Sequence, residues 1–393
     1  MKIKLVLLLA LCALTDCLFA QNNVLWKFET NDRVYSSPVT NGNLLYFGSG
    51  DHTFYAIHKE TGEKAWEYKT KGAVHSTASI FDHIIYFASA DGNLYALDKN
   101  DGSLIWLFQS EGEKSYDIWD YYLSDPMVYE DKVYWGSGDG HMYALNGLSG
   151  DLEWKYQTDD IIHASPVVAD NQLYFGNYNG NFYSLNTENG DLIWKFKTIG
   201  SSFFPKGEIQ KAAAIDNETV YFGSRDYNIY ALSTKTGRGK WNIKTGSWVI
   251  STPLVYKENL FFGTSDSHIF YNTNKNNGKV NWEFPVEMRV YGSAVAHNEI
   301  IYFGSFDGKV YGVHFETGKK VWEFQTENSK KNYHTIFSEE GGFNEDFILY
   351  GEEYLESEKM IHSLGSILST PLIDGNVIYF GSSDGNLYAI SLE

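Results

Sequence analysis

The chain has 393 residues and a formal charge of −19 at neutral pH. A surface this acidic repels phosphate backbones, which argues against nucleic-acid binding. Aromatic residues make up 17% of the chain, glycine is abundant (36) and proline is scarce (7), a composition typical of many short strands joined by tight turns and not of helices.

Residues 1–20 have the features of a secretion signal. Lys2 and Lys4 precede the apolar run 5–14, and we expect cleavage after Ala20. Because this leader holds two lysines and one aspartate, the mature chain has 29 basic and 49 acidic residues, a formal charge of −20. No later run is apolar for the roughly 18 residues that a membrane span requires.

Both cysteines, Cys12 and Cys17, lie within this leader. A mature chain that begins after Ala20 therefore has no thiol for a disulfide, a thiolate metal site or a nucleophile. The alternative is a lipid anchor on Cys17, for which the preceding Asp16 is atypical. We expect an exported protein that is soluble or attached to a surface.

Tryptophan then recurs at spacings of 40, 40, 48, 40, 47, 41 and 40 residues. A period near 40 in units rich in strand formers and turn glycines is the signature of propeller blades. The series is Trp26, Trp66, Trp106, Trp154, Trp194, Trp241, Trp282 and Trp322.

The unit that ends at Trp194 shows the internal pattern most clearly. It predicts a short inner strand A, a strand B that ends in Tyr-Phe-Gly, a strand C and an outer strand D around the tryptophan. The predicted ranges are 164–168, 172–176, 181–185 and the surroundings of Trp194. Eight such Tyr-Phe-Gly-like triplets predict an all-β, eight-bladed propeller of four-stranded antiparallel blades that occupies residues 21–393.

Asp-Gly pairs follow strand B in four blades, at Asp91, Asp139, Asp307 and Asp384. Hairpin turn chemistry accounts for them, with calcium ligation as the alternative. The last blade has no Gly-x-x-x-Trp ending of its own. We expect residues 24–30 to supply its outer strand and so to close the ring.

These units resemble the PQQ repeat of quinoprotein-like propellers. Residues 96–102 followed by Trp106 match its Ala, Asp, turn and Trp pattern, and Thr61-Gly62 and Thr317-Gly318 supply its Thr-Gly turn. In that family the tryptophan docks between neighbouring blades, so the resemblance implies that the eight tryptophans are structural docking residues, each of which buries about 150–250 Å². One branch of that family consists of dehydrogenases that carry PQQ and calcium over the channel, often beside a disulfide. The other is the propeller lipoprotein of the outer-membrane protein assembly machinery, which binds a partner protein and holds no cofactor.

The absence of mature cysteines and the short connections favour the second branch. The resemblance then implies a non-catalytic, protein-binding scaffold that is periplasmic or associated with the outer membrane, monomeric within a complex, with no cofactor and no metal. The alternatives are a PQQ- and calcium-dependent alcohol or sugar dehydrogenase, and a protein that binds carbohydrate or a surface polymer.

Three connections between a tryptophan and the next strand A are longer than the others by about eight, seven and 37 residues, and we expect them on one face of the ring. The aromatic residues of the first two either pack on a neighbouring blade edge or anchor a peptide, a partner protein or a sugar. They are Tyr116, Trp119, Tyr121 and Tyr122 in the first loop, and Phe203 and Phe204 in the second.

The third insertion, about 327–365, is both acidic and apolar. We expect solvated carboxylates, with calcium binding as the alternative, and a small amphipathic helix over the channel. The apolar residues at helical spacing are Phe347, Tyr350, Tyr354, Ile361 and Leu364. Eight acidic residues occur with no basic residue between them, namely Glu339, Glu340, Glu345, Asp346, Glu352, Glu353, Glu356 and Glu358.

One position just before each strand A should line the channel mouth, where a mixed ring of side chains could form a small-molecule site. We expect hydrogen-bonded structural histidines there, with metal ligation as the alternative. The ring is Tyr35, His75, Leu123, His163, Gln210, Ile250, Tyr291 and Leu368.

Overall fold

The computed structural model describes residues 24–393, so the predicted leader, the two cysteines and the cleavage position lie outside it. The described chain forms eight sheets of four strands each, paired in the order A, B, C, D. All pairs are antiparallel, and the first strands of several neighbouring sheets contact one another, which places strand A innermost. The predicted eight-bladed propeller is confirmed.

Blades 1 to 4 consist of β2 (Val39–Asn41), β3 (Leu44–Ser49), β4 (Thr53–His58), β5 (Lys64–Lys69); β6 (Ser79–Phe81), β7 (Ile84–Ser89), β8 (Asn93–Asp98), β9 (Leu104–Gln109); β10 (Met127–Tyr129), β11 (Lys132–Gly136), β12 (His141–Asn146), β13 (Leu152–Gln157); and β14 (Val167–Ala169), β15 (Gln172–Gly176), β16 (Asn181–Asn186), β17 (Leu192–Lys197).

Blades 5 to 8 consist of β18 (Ala214–Asp216), β19 (Thr219–Gly223), β20 (Asn228–Ser233), β21 (Gly239–Lys244); β22 (Leu254–Tyr256), β23 (Asn259–Gly263), β24 (Ile269–Asn274), β25 (Val280–Pro285); β26 (Val295–His297), β27 (Ile300–Gly304), β28 (Lys309–His314), β29 (Lys320–Gln325); and β30 (Leu372–Asp374), β31 (Val377–Gly381), β32 (Asn386–Ser391) with β1 (Val24–Glu29). The helices are α1 (Glu327–Asn332) and α2 (Tyr354–His362), with a 3₁₀ turn at Tyr333–Thr335.

Aromatic side chains of the middle strands join one blade to the next. Phe54 of blade 1 stacks on Phe87 of blade 2 with their ring centroids 4.0 Å apart. Both rings are fully buried, so each contact removes a large apolar area from water. The same contact recurs between blades 4 and 5 (Phe182 and Phe222, 4.1 Å) and between blades 6 and 7 (Phe270 and Phe303, 3.8 Å).

The repeated tryptophans dock on the following blade, as the resemblance implies. The indole N–H of Trp66 donates to the carbonyl of Lys99 at 3.2 Å, and its ring lies over Gly102 in the turn between strands C and D of blade 2. Gly102 has φ +74, and a Cβ there would lie 2.6 Å from the Trp66 ring, so both the turn and the docking require glycine. The tryptophans at 26, 106, 154, 194, 241 and 282 make the same indole-to-carbonyl bond.

The N-terminal strand closes the ring as predicted. Strand β1 pairs with β32, so that Lys27 faces Tyr388 and Phe28 faces Leu387, and the indole of Trp26 donates to Lys59 of blade 1 at 3.1 Å. Trp322 is the exception among the described docking tryptophans, because its buried N–H has no hydrogen-bond partner. Blade 8 takes its outer strand from the N-terminal segment and therefore has no turn between strands C and D to receive that N–H.

The turn aspartates act as hairpin residues. Asp91 accepts a hydrogen bond from the Tyr95 hydroxyl at 2.7 Å and from the Asn93 backbone N–H at 3.1 Å. The equivalent carboxylates at 139, 307 and 384 accept from the tyrosines at 143, 311 and 388. Each carboxylate therefore holds its turn and the start of strand C together.

The acidic insertion is less helical than its apolar spacing predicts. Only Tyr354–His362 forms the amphipathic helix, and Phe347 is buried in an irregular stretch before it. Glycines at 341, 342 and 351 interrupt that stretch, and each glycine costs about 1 kcal/mol in a helix. Across residues 24–393, neither helix has the length and apolar character needed to cross a membrane.

Candidate functional site

The three long connections meet over one mouth of the central channel. We call the segments 111–123, 199–211 and 327–365 the cap. Their side chains share one buried cluster with residues of the channel rim, and this cluster includes Tyr121 of the first segment, Ile361 of the third and Tyr291 of the rim. The cap is therefore a folded part of the propeller.

The first segment of the cap binds a buried histidine between two carboxylates. His163 lies 2.9 Å from Asp120 through Nδ1 and 2.6 Å from Glu113 through Nε2. Burial alone would lower the pKa of His163, but the two carboxylates raise it to about 10. At neutral pH the ring is thus an imidazolium that donates from both nitrogens, and the Tyr178 hydroxyl also donates to Asp120.

The same segment pairs with an arginine on the opposite side of the mouth. Arg225, in the turn between strands B and C of blade 5, donates to both oxygens of Asp117 at 2.5 and 3.1 Å. Its Nε donates to Gln210 at 2.7 Å, and the guanidinium lies 4.4 Å from the Trp248 ring centroid. This bidentate hydrogen bonding matches the planar guanidinium group and fixes its orientation.

The third segment contributes the most enclosed carboxylate. Glu358 of α2 accepts from Arg289 at 2.7 Å, from the Trp119 indole at 3.0 Å and from the Tyr121 hydroxyl at 3.1 Å. The Arg289 side chain is fully buried, and that of Glu358 is 8% exposed. Glu358 therefore holds together the first segment, the third segment and the connection between blades 6 and 7.

The structure places most of the predicted aromatic candidates inside the cap. Trp119 lies between Trp248 and Tyr354, at centroid distances of 5.9 and 6.0 Å. Tyr121 and Tyr122 are buried, Tyr116 donates to Glu208, and Phe204 packs edge-on against Trp248 at 4.8 Å. These rings pack across the channel mouth, while Phe203 is 77% exposed.

The predicted ring of channel-mouth residues lies directly beneath the cap. Tyr35 contacts His75 at a centroid distance of 5.1 Å and Tyr121 at 5.6 Å, and the Tyr122 hydroxyl donates to the Leu368 carbonyl at 3.0 Å. Burial lowers the pKa of His75 to about 4, so its ring is neutral at physiological pH. His163 is the ring member that carries charge.

His362, which the sequence pattern did not single out, should make the cap sensitive to acid. Burial, followed by the charges of Arg33 and Arg289, lowers its pKa from 6.5 to about 3. Below pH 6.5 the unfolded chain takes up a proton that the folded cap excludes, so stability should fall by up to about 1.4 kcal/mol per pH unit. The raised pKa of His163 has the opposite effect on stability. The stabilisation that its protonated ring provides is complete below pH 6.5 and is lost as the pH rises towards about 10.

Urea denaturation of the parent and of His362→Asn, at about pH 7 and about pH 4.5, measures the effect of His362. We expect a smaller loss of stability on acidification in the variant, because asparagine takes up no proton in the unfolded chain. An equal loss in both proteins would contradict the assignment.

The pattern of the repeats held a signal for the residues that the sequence analysis missed. After strand B each blade has a turn of the form Gly-Ser-x-Asp or a close variant, and in five blades x is glycine, alanine or serine. In the other three blades x is Tyr178, Arg225 or Phe306, and all three side chains are buried at the capped mouth. A large residue in a small-residue position thus marks the blades on which the cap rests.

The outer surface of the cap mixes acidic and apolar groups. Of the nine acidic residues of the third segment, eight are exposed and Glu358 is buried. Large apolar side chains are exposed among these carboxylates and on the second segment. Exposed apolar patches with polar residues around them often mark sites of protein–protein interaction. They are Ile199 (70% exposed), Phe203 (77%), Ile348 (63%), Tyr350 (51%) and Leu355 (50%).

The described side chains do not fit PQQ and calcium over the channel. Tyr35, Tyr121, Tyr291 and Phe306 fill that place, with centroid distances such as 4.7 Å between Tyr291 and Phe306. Within residues 24–393 no three or more His, Cys, Asp or Glu side chains are grouped to hold a metal ion. The cap carboxylates are instead paired with His163, Arg225 and Arg289.

Two family models match the sequence. The one described as the beta-propeller of the beta-alanine-activating enzyme covers residues 123–392, and the one described as outer membrane protein assembly factor BamB covers residues 19–202. No curated protein matches the chain.

Solved structures with the same fold are distant in sequence. BamB from Moraxella catarrhalis has a TM-score of 0.70 at 16% identity, over 94% of this chain and 99% of BamB. The computationally designed Ika8 protein has a TM-score of 0.69 at 14% identity, over 92% of this chain and 97% of its own. A europium-containing methanol dehydrogenase has a TM-score of 0.68 at 12% identity, over 94% of this chain and 93% of its own.

The second family match is to the PQQ-repeat model named for BamB, in agreement with the Ala, Asp, Thr-Gly and Trp pattern of the repeats. The first covers more than half of the chain, and the eight closed blades agree with both. The chain therefore belongs to the β-propeller family described by the first model, and its PQQ-type repeats and its fold resemble those of BamB.

Proposed function

We propose that the protein is an exported, non-catalytic scaffold that binds another protein through the outer surface of its cap, in the periplasm or at the outer membrane. The observation that carries this proposal is the group of exposed apolar side chains among carboxylates on a cap that is held rigidly from within. Phe203 precedes Phe204, which packs on Trp248, and Leu355 follows Tyr354, which packs on Trp119. Because Trp119 and Trp248 contact each other, the second and third segments of the cap adjoin at these two exposed residues.

A partner for this face should present apolar side chains surrounded by lysine or arginine. Complementary charge raises the association rate and excludes wrong partners, while the apolar side chains supply most of the affinity. The match to the BamB model supports a role in outer-membrane protein assembly. The expected absence of a cofactor is part of this proposal.

We expect Phe203→Asp and Leu355→Asp each to reduce recovery of the partner about tenfold or more, because each adds a buried charge to the interface. The measurement is crosslinking in cells, purification of the protein and quantitative mass spectrometry. Glu188→Lys, an exposed change in a turn on the opposite face of blade 4, serves as the control. Unchanged recovery with both aspartate variants would contradict the proposal.

The two alternatives have direct tests. Titration with PQQ and calcium should leave the absorbance spectrum unchanged if the rings at the channel mouth stay in place, and a saturable change with dye-linked alcohol or sugar oxidation would support a dehydrogenase. Among the predicted aromatic residues, Phe203 is the one exposed for carbohydrate binding. Trp119 is held inside the cap, where its indole N–H donates to Glu358. Glycan-array binding that Phe203→Ala abolishes would support it.

A further inference from the structure

The outer strand of blade 2 differs from the other seven. Each outer strand is the free edge of its blade, and the residue after its docking tryptophan is exposed, or half-buried in blade 7. In seven blades this residue is charged or an amide, namely Lys27, Glu67, Lys155, Lys195, Asn242, Glu283 and Glu323. In blade 2 it is Leu107, which is 49% exposed. Strand β9 is the one outer strand among the described blades that carries no charged residue.

Charges on edge strands prevent pairing with other chains, so their absence from β9 leaves an edge that can accept a strand. Its backbone is oriented for this. The backbone N–H of Ser110 donates to the carbonyl of Gly92, so Ser110 is bonded to the β8 side of the blade. Leu107 lies opposite Tyr95, three positions along the same ladder. Because hydrogen-bonded and outward-facing residues alternate along an antiparallel edge, Leu107 and Gln109 direct their N–H and C=O groups away from the blade.

Apolar side chains extend beyond this position. Leu104 and Ile105 of β9 are 47% and 39% exposed. The outer strands of the two following blades begin with Leu152 and Leu192, each 46% exposed. The outer strands of blades 2 to 4 therefore each begin with exposed apolar side chains, which we call the apolar rim, and β9 is the one among them without a charged residue.

Charge decides which occupant fits this edge. Asp101 lies in the turn before β9, and Glu111, which follows the strand, pairs with Lys155 of blade 3. Pairing with a second copy would bring together two molecules that each carry a formal charge of −19. Such like-charge repulsion opposes pairing. An extended segment with basic ends is complementary to Asp101 and to the net negative charge of the chain.

We propose that β9 binds, by strand addition, an extended segment of another protein that presents alternating apolar side chains and carries lysine or arginine at both ends. Main-chain hydrogen bonds to Leu107 and Gln109 would provide the pairing, and the apolar rim would receive alternate side chains. This inference rests on the proposed scaffold function and assigns it a second surface, separate from the cap.

The test uses the full chain and a labelled synthetic peptide of alternating valine and threonine with a pair of lysines at each end. Fluorescence anisotropy should show saturable binding, weakened about tenfold or more by Leu107→Lys. The native lysines at the matching positions 155 and 195 show that this fold accepts lysine there. Asn242→Lys, which adds the same charge to blade 5, should leave binding unchanged, and glutamate at the peptide ends should abolish it.

The proposal is overturned if the lysine-ended peptide does not bind, or if it binds Leu107→Lys as well as the parent. Sedimentation provides a further test, because a parent dimer that Leu107→Lys abolishes would assign the edge to a second copy instead.

A photo-crosslinking residue placed at position 107 or at position 203 in cells separates this proposal from the scaffold function. Crosslinks to a protein at 203 alone, with no peptide binding, would overturn the edge proposal and leave the cap surface as the binding site. Peptide binding that depends on Leu107, with no crosslink at 203, would support the edge and contradict binding through the cap.

Discussion

Replacing Glu358 with alanine is expected to lower the free energy of unfolding by about 3–5 kcal/mol, the range for removing one partner of a buried ion pair. The Arg289 side chain is fully buried, and its guanidinium lies 2.7 Å from Glu358. Without the carboxylate, Arg289 keeps its charge among the rings of the channel mouth, and the Trp119 indole and the Tyr121 hydroxyl lose their acceptor.

Urea denaturation measures this effect, and the chain offers a matched control two residues away. Glu356 lies on the same helix, is exposed and pairs with Lys359 on the surface, so Glu356→Ala should cost less than about 1 kcal/mol. Glu358→Gln separates charge from shape, because it keeps an acceptor for the indole and removes the negative charge beside Arg289. Equal stability of the Glu358→Ala and Glu356→Ala variants would show that the pair does not hold the cap.

Replacing Trp26 with alanine is expected to cost about 3 kcal/mol, the lower end of the range for a large aromatic side chain in a core. Its indole donates to Lys59 and packs over Gly62, which joins blade 8 to blade 1. Trp26 is only partly buried, whereas Trp194 in the middle of the ring is 9% exposed. Trp194→Ala should therefore cost more than Trp26→Ala.

Equilibrium denaturation of the two alanine variants side by side makes this comparison within one protein. Removal of residues 24–29 should be more severe, since it exposes β32 as an unpaired edge and should promote aggregation in light scattering. A Trp26→Ala protein as stable as the parent would mean that the docking of this indole contributes nothing to closure.

A rigid cap has consequences for binding. Three ion pairs, at His163, Arg225 and Arg289, hold its segments, so its outer surface is ordered before a partner arrives. Binding to a preorganised surface costs less conformational entropy than binding to loops that must first become ordered. Acid would loosen this surface, since protonation of His362 is incompatible with its buried site between Tyr35 and Tyr121.

The ring could be predicted from local patterns because its information is local and repeated. The spacing of the tryptophans, the Tyr-Phe-Gly triplets and the turn glycines each specify one blade, and eight blades reinforce one another. Strands B and C of the fourth blade occur where the pattern places them, at Gln172–Gly176 and Asn181–Asn186. Even the closing strand was predictable, because the missing ending of the last repeat matches the surplus Trp26 segment.

The cap was not predictable in the same way, because its residues occur once and come together from distant parts of the chain. Glu358 is one of nine acidic residues in its segment, and nothing in the local sequence separates it from Glu356. Its burial depends on Arg289, 69 residues earlier, and on Trp119, 239 residues earlier. The repeats and the ring follow from the order of residues along each blade, whereas the buried charges and the face left for a partner depend on how the eight blades bring the long loops together.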